Sequence, residues 1–148
     1  MVVGEQLRDG FAPARRLHRE QHAVLRRVEI GAQRGERVVG VTVDRAFGPV
    51  LAVGLGGVWV EVLADTSLRV LPVTAEDVKH MLGELRGSPL LRGARGTRPA
   101  DLDALAQVVK NVGDAALSLD GHLRALEINP LWVDGDQIEA LDVLVITA

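Results

Sequence analysis

Three oxygen-bearing side chains near the C-terminal end have the spacing of a cation site: Glu127, Asn129 and Asp142. They lie in LEINPLWVDGDQIEALD, residues 126–142, where apolar and polar residues alternate on both sides of Asp134-Gly135-Asp136. Alternation of this kind predicts two half-buried strands, and the Asp/Gly cluster predicts a tight turn between them. Suppose the loop has two residues, either Asp134-Gly135 or Gly135-Asp136. Antiparallel pairing then sets Glu127, Asn129 and Asp142 on one face and Leu126, Ile128, Leu141 and Val143 on the other, because the side-chain period is two. A three-residue loop breaks that parity. Two carboxylates and an amide oxygen are hard ligands that suit Mg2+, which takes one or two protein groups together with substrate phosphates.

A second set of candidates begins at Gly54-Leu55-Gly56-Gly57. Glycines let a backbone approach a ligand closely, and successive N–H groups in such a loop can cradle phosphate oxygens. The segment precedes a strand pattern rather than a helix and has no following lysine, so it is neither a Walker loop nor a dinucleotide fingerprint. A hairpin turn or bulge explains the same spacing. Glu61 sits between Val60 and Val62, where a carboxylate either faces solvent or serves a site; Arg69 sits similarly between Leu68 and Val70. Arg95 follows Ala94 and precedes Gly96, and a guanidinium on such a loop can grip a phosphate or carboxylate with two hydrogen bonds. His18, His22, His80 and His122 have no evident base, nucleophile or third metal ligand beside them. They read as structural or surface residues.

The elements that must position these groups follow from periodicity. Residues 1–27 form a basic N-terminal segment with Arg15, Arg16, Arg19, Arg26 and Arg27, a charge run of the kind that ordinarily forms a solvated face. Residues 28–32, 38–43, 50–53, 58–63 and 67–73 read as short strands, with breakers around Gly48-Pro49 and Asp65-Thr66. Thr74 opens a helix as its N-cap, with Asp77 three residues on; Val78, Met81, Leu82 and Leu85 form the buried stripe and Gly87 the stop. Residues 88–99 read as a loop. Asp101 caps a second helix with a stripe of Leu102, Leu105, Val109, Val112 and Ala116. Asp120-Gly121 then turns into the closing hairpin. Strands, two helices and a hairpin make an α+β fold with a mostly antiparallel sheet and two main helices.

Composition narrows the class. A chain of 148 residues suits one domain with a real core. With no cysteine there is no disulfide, zinc–thiolate site or cysteine nucleophile, which is compatible with a reducing cytoplasm. A net charge of -3 and 3% aromatic residues give neither the basic field nor the stacking platforms of a nucleic-acid binder. No apolar run has the length of a membrane span, and the N-terminus lacks the order of a signal peptide.

The run from FGPVLAVGLGGVWVEVLADTSLRVLPVTAEDVKHMLGELRGSPLLRGARG, through PADLDAL and LEINPLWV, to the final LDV resembles the ATP-grasp region of ADP-forming acyl-CoA synthetases. That family includes acetate–CoA ligases and the related succinyl-CoA ligase β subunits. The resemblance covers residues 28–148, and the ordered GLGGxxxE and ExNPL elements are specific to the family. It implies that Asn129 and Asp142 bind the Mg2+ accompanying ATP, with Glu127 beside them in the nucleotide site. It implies that Gly54, Gly56, Gly57 and Glu61 line the phosphate-transfer region, and that Arg69 and Arg95 fall where the family has arginine. The implied reaction joins a carboxylic acid to CoA while ATP becomes ADP and phosphate, through an acyl-phosphate and a phosphohistidine.

The departure from the family pattern matters equally. A complete ATP-grasp unit closes two subdomains around its nucleotide, and residues 28–148 resemble only the second. The phosphate-gripping lysine of the first subdomain, the CoA-binding domain and the family's phosphohistidine have no counterpart, so the resemblance implies a protein partner that supplies them. The competing expectation is a non-catalytic ATP-grasp remnant serving as a regulatory or assembly module.

Overall fold

Asp44 sets the first hairpin. Its Oδ1 accepts the backbone N–H groups of Ala46 at 2.7 Å and Phe47 at 2.9 Å, and Gly48 takes φ 77°. A side chain that bonds its own turn replaces the missing ladder partners, so β1 (Glu36–Asp44) reverses directly into β2 (Gly48–Leu55), with Asp44 opposite Gly48. The computed structural model describes residues 36–56, 65–96, 98–119 and 121–148, except for the side chains of Glu36, Arg37 and Arg95. The basic segment 1–27, the strands expected at 28–32 and 58–63, Gly57, Glu61 and Asp120 lie outside the described residues.

β3 (Thr66–Val70) adds to β2, and β4 (Leu123–Asp134) adds to β1. β5 (Gln137–Ala140) and β6 (Val143–Thr147) pair with successive parts of β4. Every pairing is antiparallel, and the sheet order is β3-β2-β1-β4-β5, with β6 also on β4. The fold is the expected α+β arrangement.

Helices cover one face of this sheet. α1 (Ala75–Glu84) starts in a full capping box: Thr74 Oγ1 accepts the Asp77 N–H at 3.1 Å while Asp77 Oδ2 accepts the Thr74 N–H at 2.8 Å. α3 (Leu102–Ser118) starts at Asp101, whose Oδ1 accepts from Asp103 and Ala104. Val78, Met81, Leu82, Leu105, Val109 and Val112 interlock with Val39, Val41, Leu51, Val53, Leu126 and Ile128 in one core. Burying each such side chain contributes roughly 1.5–3 kcal/mol. No helix among the described residues is long and apolar enough to cross a membrane.

The other face is open among the described residues, and its register can be read in rows. Val70, Val50, Thr42, Ala125 and Ile146 are successive cross-strand partners; so are Leu68, Ala52, Gly40, Glu127 and Leu144. A third row runs from Thr66 through Gly54 to Val38, where the β1–β4 register breaks; on the far side of β4, Asn129 faces Asp142. Leu68, Val70, Leu144 and Ile146 are all exposed on this side.

Four sequence expectations change. Residues 88–99 are not all loop: α2 (Ser88–Leu91) and a 3-10 turn (Ala94–Gly96) form there, with Pro89 in the first turn of α2, where its missing N–H costs no helical bond. The strand expected over 67–73 ends at Val70, and Leu71 and Val73 turn inward to the core instead. Gly54 and Leu55 lie within β2, so the glycine segment begins in a paired strand rather than in a loop. The closing turn is Gly135-Asp136, with Asp134 opposite Gln137, as one of the two alternatives required. However, strict alternation fails at Pro130. Leu126 and Ile128 are buried, and so are Leu131 and Val133. The β1–β4 register slips there by one residue, Val39 facing Ile128 but Arg37 facing Leu131. An extra residue in one strand reverses the inside–outside phase beyond it.

Candidate functional site

Glu127 and Asn129 project from β4 on the open face because Leu126 and Ile128, their alternating neighbours, are held in the core. Asn129 Nδ2 donates to Glu127 Oε1 at 3.1 Å. That bond uses the amide's donor end and leaves its Oδ1 as an acceptor for a cation. Across the strand pair, the Asn129 backbone N–H donates to the Asp142 carbonyl at 3.1 Å, which fixes Asp142 directly opposite. Asp142 occupies the break between β5 and β6 and is half-buried.

The surroundings fit a hard cation. Among the described residues neither Glu127 nor Asp142 has an ion-pair partner, whereas Glu76, Glu84, Asp103, Asp114 and Asp136 each do. Among the described residues no three His, Cys, Asp or Glu side chains form a self-sufficient metal cage. Two carboxylates and one amide oxygen suit Mg2+ that completes its shell with water and phosphate oxygens.

By register Gly54 lies on the same side of the sheet as this cluster, two strands from β4 and therefore about 10 Å away, but it is itself buried beneath Asp65 and Thr66. There is no space for a side chain on it: a Cβ would lie 2.9 Å from the Asp65 carbonyl and 3.2 Å from Thr66 Oγ1. Gly56 is buried at the end of β2. Gly57 and Glu61 lie outside the described residues. Arg95 sits in the 3-10 turn between Gly93 and Gly96, both at positive φ.

Arg69 is not brought to the cluster. It pairs with Leu51, a core residue, whereas Glu127 pairs with Gly40 on the open face. Its guanidinium forms a two-pronged ion pair with Glu84 and donates to the Leu68 carbonyl at 2.8 Å. Glu84 raises the Arg69 pKa, chiefly through these hydrogen bonds, and is itself held below the usual carboxylate range by Arg69 and then Ser67. A direct catalytic contact by Arg69 with a ligand at Glu127 does not fit this placement. Sequence reasoning also passed over Gly40 and Leu144, which flank Glu127 on neighbouring strands. Only strand register exposes that adjacency, and no local motif announces it.

Comparison with known proteins gives a consistent picture. Residues 6–147 match the ATP-grasp domain family. The chain is 41% identical over 111 residues to the acetate–CoA ligase [ADP-forming] I subunit beta of Pyrococcus furiosus, covering 75% of this chain and 47% of that protein. It is 44% identical over 100 residues to acetate–CoA ligase [ADP-forming] I of Archaeoglobus fulgidus, covering 66% of this chain and 14% of that one. This chain thus spans about half the length of the separate β subunits it matches and much less of the longer ligases. Among solved structures, acetyl-coenzyme A synthetase 1 of Ca. Korarchaeum cryptofilum, in complex with coenzyme A and Mg-AMPPCP, superimposes with a TM-score of 0.73 at 30% identity, covering 82% of this chain and 55% of that one. The chain belongs to the ATP-grasp domain family and is related to the β subunits of ADP-forming acetate–CoA ligases.

Proposed function

We propose that this chain forms one wall of a Mg-ATP site in an ADP-forming acid–CoA ligase, with a protein partner supplying the opposing nucleotide wall and the CoA-binding domain. The observation that carries this reading is the Glu127–Asn129–Asp142 set: two carboxylates with no ion-pair partner among the described residues, and an amide that bonds Glu127 through its nitrogen and lies opposite Asp142. Asn129 and Asp142 would hold Mg2+, and Glu127 would orient Asn129. The bound ion would supply charge neutralisation at the phosphate oxygens. Gly54 and Gly56 would let the phosphates approach β2 closely, and Gly57 and Glu61 would continue that lining. Arg95 would bind a phosphate oxygen. The active complex would work in the cytoplasm.

This reading draws support from family membership and from the Mg-AMPPCP bound in the related synthetase. Calorimetric titration of the chain with Mg-ATP tests it. Saturable binding that weakens in Asn129→Ala and Asp142→Ala is the expected result. No heat at millimolar nucleotide, alone or with a candidate partner, would leave the non-catalytic remnant as the better description.

A further inference from the structure

β3 is inserted with its polar side inward. Ser67 is buried and Arg69 is half-buried on the helix face, while Leu68 and Val70 are exposed on the open face. A slip of one residue would bury both apolar side chains and expose both polar ones. Hydrophobic burial alone would therefore favour the other phase of this strand, and something specific holds the observed one.

Three alternate positions supply it, all reaching the end of α1 and the corner after it. The Asp65 carboxylate accepts the backbone N–H groups of Arg86 and Gly87, each at 2.8 Å. Ser67 Oγ donates to Glu84 Oε2 at 2.5 Å. Arg69 grips the same Glu84 carboxylate with both terminal nitrogens, Nη1 at 3.2 Å from Oε2 and Nη2 on Oε1. The corner also touches β2: a Cβ on Gly87 would lie 2.4 Å from Leu55 Cδ1. Hence β3 and the glycine-bearing end of β2 rest on one support.

Building on the proposed nucleotide site, we propose that Arg69 is a positioning residue. Acting through Glu84, it locks the phase of β3 and so fixes Gly54 on the nucleotide face. Gly54 has Thr66 as its cross-strand partner and no slack against the Asp65 carbonyl. A displacement of β3 therefore passes directly to Gly54. Polar pairs are well suited to specifying register, because a slipped strand leaves them unpaired.

The test compares the full chain with Arg69→Ala, Arg69→Lys and the charge swap Arg69→Glu/Glu84→Arg. Mg-AMPPCP affinity is read by calorimetry, and amide hydrogen exchange is read without ligand. Loss of Arg69 should weaken Mg-AMPPCP binding by roughly tenfold and speed exchange at the Arg86 and Gly87 amides, with the swap recovering most of both. Arg69→Lys, which keeps one charge–charge contact and protects the fold, should fall between. A swap as weak as Arg69→Ala, with unchanged exchange at Arg86 and Gly87, would mean that Arg69 touches the ligand directly and would overturn the proposal. Faster exchange with unaltered affinity would also overturn it, by reducing the pair to fold stability. If the wild-type chain takes up no Mg-AMPPCP, the nucleotide reading fails by itself. Exchange then decides whether Arg69 locks β3, and unchanged protection in Arg69→Ala refutes it.

Discussion

Asn129 on β4 and Asp142 in the break between β5 and β6 face each other, the N–H of the first bound to the carbonyl of the second at 3.1 Å. The metal assignment predicts that their side chains act on one ligand. Asn129→Ala and Asp142→Ala should each weaken Mg-nucleotide binding by about 1.5–3 kcal/mol, or roughly ten- to hundredfold in Kd. The double variant should lose less than the sum, since both remove ligands of one ion. Calorimetry in Mg2+ and in its absence checks this. Additive losses that persist without Mg2+ would argue against a shared cation.

Gly54 and Gly83 should respond oppositely to alanine. At Gly54 the new Cβ meets the Asp65 carbonyl at 2.9 Å, and backbone cannot rotate away. Overpacking of this sort costs about 1–3 kcal/mol. Gly83 lies exposed in α1 with nothing within 4 Å of its Cβ position, so Gly83→Ala should stabilise by roughly 0.4–1 kcal/mol. Urea denaturation of the two variants reads both signs.

Thr74→Ala removes the acceptor for the Asp77 N–H and the hydroxyl that donates to the Asp77 carboxylate at 2.7 Å. Loss of an N-cap of this type costs about 0.5–2 kcal/mol, whereas Thr74→Ser should cost only a few tenths. Thermal unfolding of the two variants measures the difference.

Acid should unfold this protein through identifiable carboxylates. Asp44 is held low by the Phe47 and Ala46 N–H groups, Asp77 by Thr74, and Glu84 by Arg69 and Ser67. Each has a folded-state pKa below its unfolded value. Their contribution is thus present above the ordinary carboxylate range near ~4 and is lost as pH falls through the depressed values. Urea midpoints should be flat from neutral pH to about 5 and then fall steeply. Glu84→Gln should lower the neutral-pH midpoint and make the acid limb shallower. An unchanged acid limb would mean that the Glu84 pair contributes nothing.

The sequence by itself determined the elements whose signals are local. Thr74 and Asp101 announce the helix starts because capping is chemistry between residues two or three apart. The stripes ending at Leu85 and Ala116 announce the buried helix faces. The alternation at Leu126, Glu127, Ile128 and Asn129 fixed which side chains leave β4 together, and the ExNPL and glycine elements pointed to the ATP-grasp family. Only the tertiary structure decided matters that depend on partners distant in the chain. The phase reversal after Pro130 follows from the register slip against Val39 and Arg37. Leu68 and Val70 face outward because Asp65, Ser67 and Arg69 find partners at residues 84–87. Arg69 lies across the sheet from Glu127 for the same reason: a strand's two faces are equivalent to its sequence, and what packs against them chooses between them.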